Sequence, residues 1–156
     1  MFDLEKIKNH IRNRPYMSGI ERDRVRVKAT AEVFTPIETV QKMLDMVNPT
    51  VFADPKKTVL DQSAGDGAFL GECLIRKLEN GIDFETALST IYGVEKEIDN
   101  CELCRDRLLC GREDLRHIVE KNIVNADSTT YTYAFSGPNE PLIDYNNNYN
   151  NFFEEV

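Results

Sequence analysis

The chain has 156 residues and a net charge of −8, with 19 Lys and Arg against 27 Asp and Glu. That length suits one domain with a modest core, and the absence of any apolar run of about 18 residues excludes a membrane-spanning helix. The charged start "MFDLEKIKNHIRNR" has no apolar signal region, so Cys73, Cys101, Cys104 and Cys110 read as reduced thiols and a cytoplasmic location is expected.

Charge is divided unevenly along the chain. Residues 1–28 hold eight Lys and Arg and four Asp and Glu, whereas the remainder holds eleven against 23. An acidic body argues against a nucleic-acid surface over most of the protein. The basic stretch "RNRPYMSGIERDRVRVK" either meets phosphate or pairs with that acidic body.

In chain order, Asp3–Arg12 reads as a short amphipathic helix with Leu4, Ile7 and Ile11 on one face. Pro15 and Gly19 break the pattern, and "VRVKATAEVFTP" is irregular or extended. Thr35 is expected to cap a helix, with Pro36 first in it and Glu38 completing a capping box. Val40, Met43, Leu44 and Val47 form its stripe, and "NPT" ends it. Lys57–Asp61 is a buried strand candidate, followed from Ala68 by a helix carrying Phe69, Leu70, Cys73, Leu74 and Leu78. Asp83 caps another short helix, "IYGVE" (Ile91–Glu95) is a second strand, and "IDNCELCRDRLL" is a helix ended by Gly111. "REDLRHIVEK" continues helical, and "NIVNAD" (Asn122–Asp127) is a third strand. Strands alternating with helices predict βαβ units and a parallel sheet. The divisions are an N-terminal helical and basic arm at 1–30, an α/β domain at 31–130, and an Asn-rich, loosely ordered tail at 131–156.

The turn "AGDGAF" joins the first strand to its helix. Gly65 and Gly67 permit torsions and close approaches that a Cβ forbids, and the helix start behind them favours carboxylate-bearing or anionic ligands. Leu70 stands where a dinucleotide fingerprint needs glycine, and no Gly-Lys-Ser/Thr occurs. Asp61, four residues before Gly65, can accept from a ligand amine, directly or through water. Glu95, ending the second strand, can accept both hydroxyls of a ribose. A ligand with an amino-acid end and an adenosine end satisfies this arrangement better than NAD.

"VLDQSAGDGAFL" resembles the D-x-x-x-G-x-G motif of S-adenosyl-L-methionine-dependent methyltransferases. It is closest to that of the adenine-N6 DNA methyltransferases, which write a similar "LDP-x-A-G-x-G-x-F-L", with Gln62 here in place of the proline. "EVFTP" is similar to the family's N-terminal motif that closes over the methionine end, and it contributes Phe34, Thr35 and Pro36. "YGVEKE" resembles the second motif, with Glu95 at the ribose position and Lys96 beside it. "NADS" resembles the third, with Asp127 facing the cofactor's adenine amine and Ser128 beside it. Ala64, Gly65, Gly67 and Phe69 complete the implied cofactor site with Asp61. The order of motifs is that of the type I modification-subunit-like group and covers about residues 30–130.

The resemblance implies a partial Rossmann-like class I methyltransferase fold, a parallel sheet flanked by helices and preceded by a helical arm. It implies S-adenosyl-L-methionine as cofactor and DNA adenine-N6 methylation, as in restriction–modification. It also exposes a gap: the family's Asn/Asp-Pro-Pro-Tyr/Phe tetrapeptide, which grips the flipped base, has no counterpart, because the chain contains no Pro-Pro. No catalytic residue is therefore assigned, and the alternative is an inactive cofactor-binding or interaction module. Only the N-terminal, cofactor-binding half of the family's fold is recognised, so the first strand is expected to present a bare edge. Residues 129–136, a second copy, or a complementary chain would cover it. DNA would be reached through that partner or the basic arm.

Each assigned residue also has a purely structural reading. Asp61 with Gly65 makes a tight strand–helix turn, Glu95 an acid at a helix start, Asp127 an Asx turn, Thr35 an N-cap and Phe69 a core ring. Cys101, Cys104, Cys110 and His117 have zinc-like spacing, but they fall in a helical stripe and read as buried thiols. No metal site is assigned.

Overall fold

The computed structural model describes residues 3–14 and 34–136. Helix α1 (Leu4–Arg12) starts where the Asp3 carboxylate accepts from the backbone N–H of Glu5 and Lys6. Its Ile7 and Ile11 are buried in the main core. Helix α2 (Ile37–Asp45) is followed by a short turn of helix, α3 (Thr50–Ala53). Strand β1 (Val59–Asp61), helices α4 (Ala68–Glu79) and α5 (Phe84–Ser89), and strand β2 (Ile91–Glu95) come next. Helix α6 (Ile98–Leu109), a 3-10 turn (Glu113–Leu115), helix α7 (Arg116–Asn122) and strand β3 (Ile123–Asn125) complete the described elements.

The strands form one parallel sheet in the order β1-β2-β3. Val59, Leu60 and Asp61 align with Ile91, Tyr92 and Gly93, and Gly93, Val94 and Glu95 align with Ile123, Val124 and Asn125. This is the expected α/β architecture, a partial Rossmann-like sheet with helices packed on it. The main core joins Ile91 and Ile123 of the sheet to Leu70 and Leu74 of α4 and to Cys101, Cys104 and Leu108 of α6. A second cluster gathers Val40, Leu44, Phe52, Ala68 and Cys73.

One local expectation is corrected. The Thr35–Glu38 capping box does not form: Pro36 occupies the cap position in an extended conformation, with no side-chain cap hydrogen bond. The Thr35 carbonyl is instead held by Arg14 across the fold, at 2.7 Å. Helix α2 ends ahead of "NPT" as expected, and there the Asn48 side chain accepts from the N–H of Thr50 at 3.1 Å at the start of α3, which buries Phe52. In the α2 stripe Val40 and Leu44 are buried, but Met43 and Val47 are exposed. Val47 opens onto a groove beside β1 that no described element fills.

The cysteines are core residues. Cys73, Cys101 and Cys104 are buried free thiols, and burial pushes the Cys73 thiol up to about 12 and the Cys101 thiol to about 11. At pH 8 their thiolate fractions are then roughly one part in a thousand or less. A thiol reagent added to the native protein should leave all three unmodified, and denaturant should release them. Rapid native labelling of Cys104 would contradict this packing.

The edge of β1 is bare among the described residues. The Val59 N–H donates to the Thr90 carbonyl at 3.0 Å, so Leu60, the next residue along the ladder, directs its N–H and C=O away from β2. Its side chain is 47% exposed. Residues 131–136 fold back over the neighbouring sheet face without forming a strand, the Phe135 ring meeting Tyr92 edge-on at 4.9 Å. Residues 137–156 lie outside the described part of the chain, as does most of the basic stretch. Its two described arginines besides the helix start, Arg12 and Arg14, pair with Glu72 and Asp66 of the acidic body.

Candidate functional site

Parallel strands bring their C-terminal ends to one side of a sheet, which is where α/β folds bind ligands. Asp61 ends β1, Glu95 ends β2 and Asp127 lies two residues past β3. The glycine turn sits between the first two. Gly65 and Gly67 have φ of +55° and +85°, left-handed values that a side chain resists. The Gly67 N–H donates to the Ala64 carbonyl at 2.9 Å, and the Ala64 N–H to the Val94 carbonyl at 3.0 Å, so the turn is tied to β2. Gly67 caps α4 in the left-handed conformation, with no side-chain cap.

Glu95 and the turn are in direct contact. One carboxylate oxygen accepts from the Gly65 N–H at 2.8 Å, and the other from the Glu97 N–H at 2.9 Å. The expected neighbourhood of Glu95 and the turn is therefore present, and each oxygen keeps a further lone pair for another donor. Glu95 ends β2 half-buried, two residues before Glu97, the cap residue of α6.

Asp61 accepts from the Ser63 N–H at 2.9 Å, closing an Asx-type turn. Burial raises its pKa, partly offset by that hydrogen bond. No cation pairs with it among the described residues, so this is a half-buried carboxylate with acceptor capacity to spare. Phe34 lies against the turn: a Cβ built on Gly65 would fall 3.8 Å from its ring. Thr35 and Pro36 follow it into α2. Phe69, partly buried, lines the groove beside β1 with Asp61, Leu44, Phe52 and Cys73, a space of about 660 Å³.

Asp127 is farther engaged. Its carboxylate takes the Thr129 hydroxyl at 2.6 Å and the Thr129 N–H at 2.9 Å, and it pairs with Lys96 at 3.3 Å. Those contacts, the Thr129 hydrogen bonds first, hold its pKa down to about 2. The Ser128 carbonyl accepts from the Tyr133 hydroxyl at 2.8 Å. Lys96 and Asp127 thus meet each other, and the Ala126 N–H joins them to β2 through the Glu95 carbonyl at 3.0 Å.

The family profile for N-6 DNA methylase matches residues 22–151. The chain belongs to the N-6 DNA methylase family. No curated protein and no solved structure gives a match. Among the described residues of this N-6 DNA methylase family member, no helix is long and apolar enough to cross a membrane.

Sequence reasoning missed what stands behind the methylase turn. Asp66, between the two glycines, points inward and is 2% exposed. Arg14 holds it with a two-pronged contact at 2.7 and 3.2 Å, and Arg107 of α6 donates to its backbone carbonyl at 2.7 Å. A charged residue inside a glycine turn was the available signal, since an acid in so tight a bend needs partners when the bend is buried.

Proposed function

We propose that this chain binds S-adenosyl-L-methionine across the C-terminal ends of β1 and β2, as the cofactor-binding part of a DNA adenine-N6 methyltransferase. The observation that carries the reading is the Glu95 carboxylate, anchored on the Gly65 and Glu97 N–H groups one strand away from a half-buried Asp61 that no cation pairs with among the described residues. The donor set fits both ends of that ligand. Glu95 is oriented by two backbone donors and retains acceptor capacity for vicinal hydroxyls. Asp61 offers a half-buried negative charge to an ammonium group. The glycine turn gives a wall without side chains, and the Phe34 ring closes it from the α2 side.

When bound, S-adenosyl-L-methionine supplies a methyl group activated on a sulfonium. The residues of this chain hold and orient it, and positioning is most of what such a transfer asks of a protein. Asp61 acts as an ionised group here. Burial favours its neutral form, so lowering pH through its raised pKa removes the charge and weakens the hold on a cationic ligand.

Calorimetric titration of the full chain with S-adenosyl-L-methionine tests the site. Glu95→Ala and Asp61→Ala are each expected to lose affinity by about tenfold or more, the loss typical of a hydrogen bond to a charged group. Equal affinity in parent and both variants would remove the assignment. A second reading is supported by one specific observation, the lack of any Pro-Pro in the chain. It describes a module that binds the cofactor but transfers nothing, with the edge of β1, bare among the described residues, available to another strand. Transfer of labelled methyl from cofactor to DNA by this chain alone would rule it out.

A further inference from the structure

Arg14 lies at the end of the N-terminal helical segment, yet it is 7% exposed and reaches three parts of the site at once. Its Nε and Nη2 donate to the Asp66 carboxylate, and its Nη1 donates to the Thr35 carbonyl at 2.7 Å. Its guanidinium also lies over the Phe34 ring, 5.8 Å from the centroid. Phe34 in turn packs toward Gly65. Asp66 and Thr35 are 52 and 21 residues away in sequence, so local structure sets none of these contacts.

The side chain of Asp66 is 2% exposed and lies in the protein between Arg14 and Arg107. An acid in that place has no direct use toward a ligand. What it does is give a turn that is otherwise mostly glycine and alanine a rigid handle. Arg14 grips that handle with a planar two-donor fork, which fixes direction as well as distance. The same residue therefore pins both the glycine turn and the stretch entering α2.

We infer that Arg14 is a positioning residue: through Asp66 and the Thr35 carbonyl it holds the glycine turn and the Phe34 wall in the relation that a ligand needs. The ligand in question rests on the function proposed above. By linkage, a ligand that prefers the pinned turn tightens the Arg14 contacts, and their loss weakens the ligand by the same factor.

The experiment uses the full chain with Arg14→Gln and Arg14→Lys. In Arg14→Gln, Asp66 keeps Arg107 as a neighbour at 3.7 Å, so its charge is not left alone. Amide exchange is measured first, without ligand. The Gly67 N–H, bonded to Ala64, should exchange about tenfold faster or more in Arg14→Gln, while Val94 in the central strand keeps its parental rate. Arg14→Lys, which keeps the charge but not the fork, should fall between, and it serves alone if Arg14→Gln does not fold. Titration with S-adenosyl-L-methionine should then show an affinity loss of about tenfold or more in the folded variant. Parental exchange at Gly67 in a folded variant overturns the inference, as does parental affinity. If the parent chain itself takes up no S-adenosyl-L-methionine, the proposed function fails, and the exchange rates alone decide the role of Arg14.

Discussion

Gly67→Ala should destabilise the chain by about 2–5 kcal/mol, adding the strain of a left-handed residue to the cost of overpacking. The backbone there has φ +85° and ψ 23°. A Cβ would lie 2.9 Å from the Cys104 Sγ and 3.2 Å from the Cys104 Cα, against a helix that is itself buried in the main core. Neither side can move cheaply, because α6 packs on the sheet and the turn is tied to β2. Gly65→Ala separates the two costs: φ is +55°, but the nearest atom is 3.8 Å away, so only the torsional part of about 1–2 kcal/mol is expected. Denaturant midpoints of the two variants measure the difference. Equal losses would mean that α6 does not press on the turn.

Arg107→Ala should cost about 3–5 kcal/mol, the range for breaking a buried charge pair by removing one partner. Arg107 is 6% exposed and donates to the backbone carbonyls of Asp66, Ile11 and Asn13, with the Asp66 carboxylate 3.7 Å from its Nη2. It therefore joins α1, the glycine turn and α6 at a single point. Truncation leaves three carbonyls short of a donor and an acid with one cation fewer. Arg107→Lys should recover only part of the loss, since one ammonium cannot reach three carbonyls set around a planar fork. Equilibrium unfolding of the three proteins, monitored by circular dichroism, measures it. An Arg107→Ala chain as stable as the parent would show that these bonds contribute no net stability.

The local pattern of residues was enough to place most elements. The Ile91–Glu95 strand and the Ile98–Leu109 helix are where the sequence placed them. β1 is shorter than "KTVLD", starting at Val59, because the Lys57 carbonyl is taken by the buried Lys77 Nζ at 2.7 Å instead of joining a ladder. Lys77 and Glu72 lie on the largely apolar α4. They are buried because the carbonyls of Val51 and Lys57 receive the one and Arg12 receives the other. The Thr35 cap failed for the same kind of reason, a contact from Arg14 outweighing a local hydrogen bond.

Sequence by itself determined the order of strands and helices, the glycine turn, and the acids that end β1 and β2, because each depends on residues within a few positions of one another. It also carried the family, whose profile reads that same linear order. Only the tertiary structure decided which charges are buried and what they hold. Asp66 meets Arg14 across 52 residues and Arg107 across 41. A buried ion is stable only beside its partner, and no spacing along the chain announces a partner that folding alone brings near.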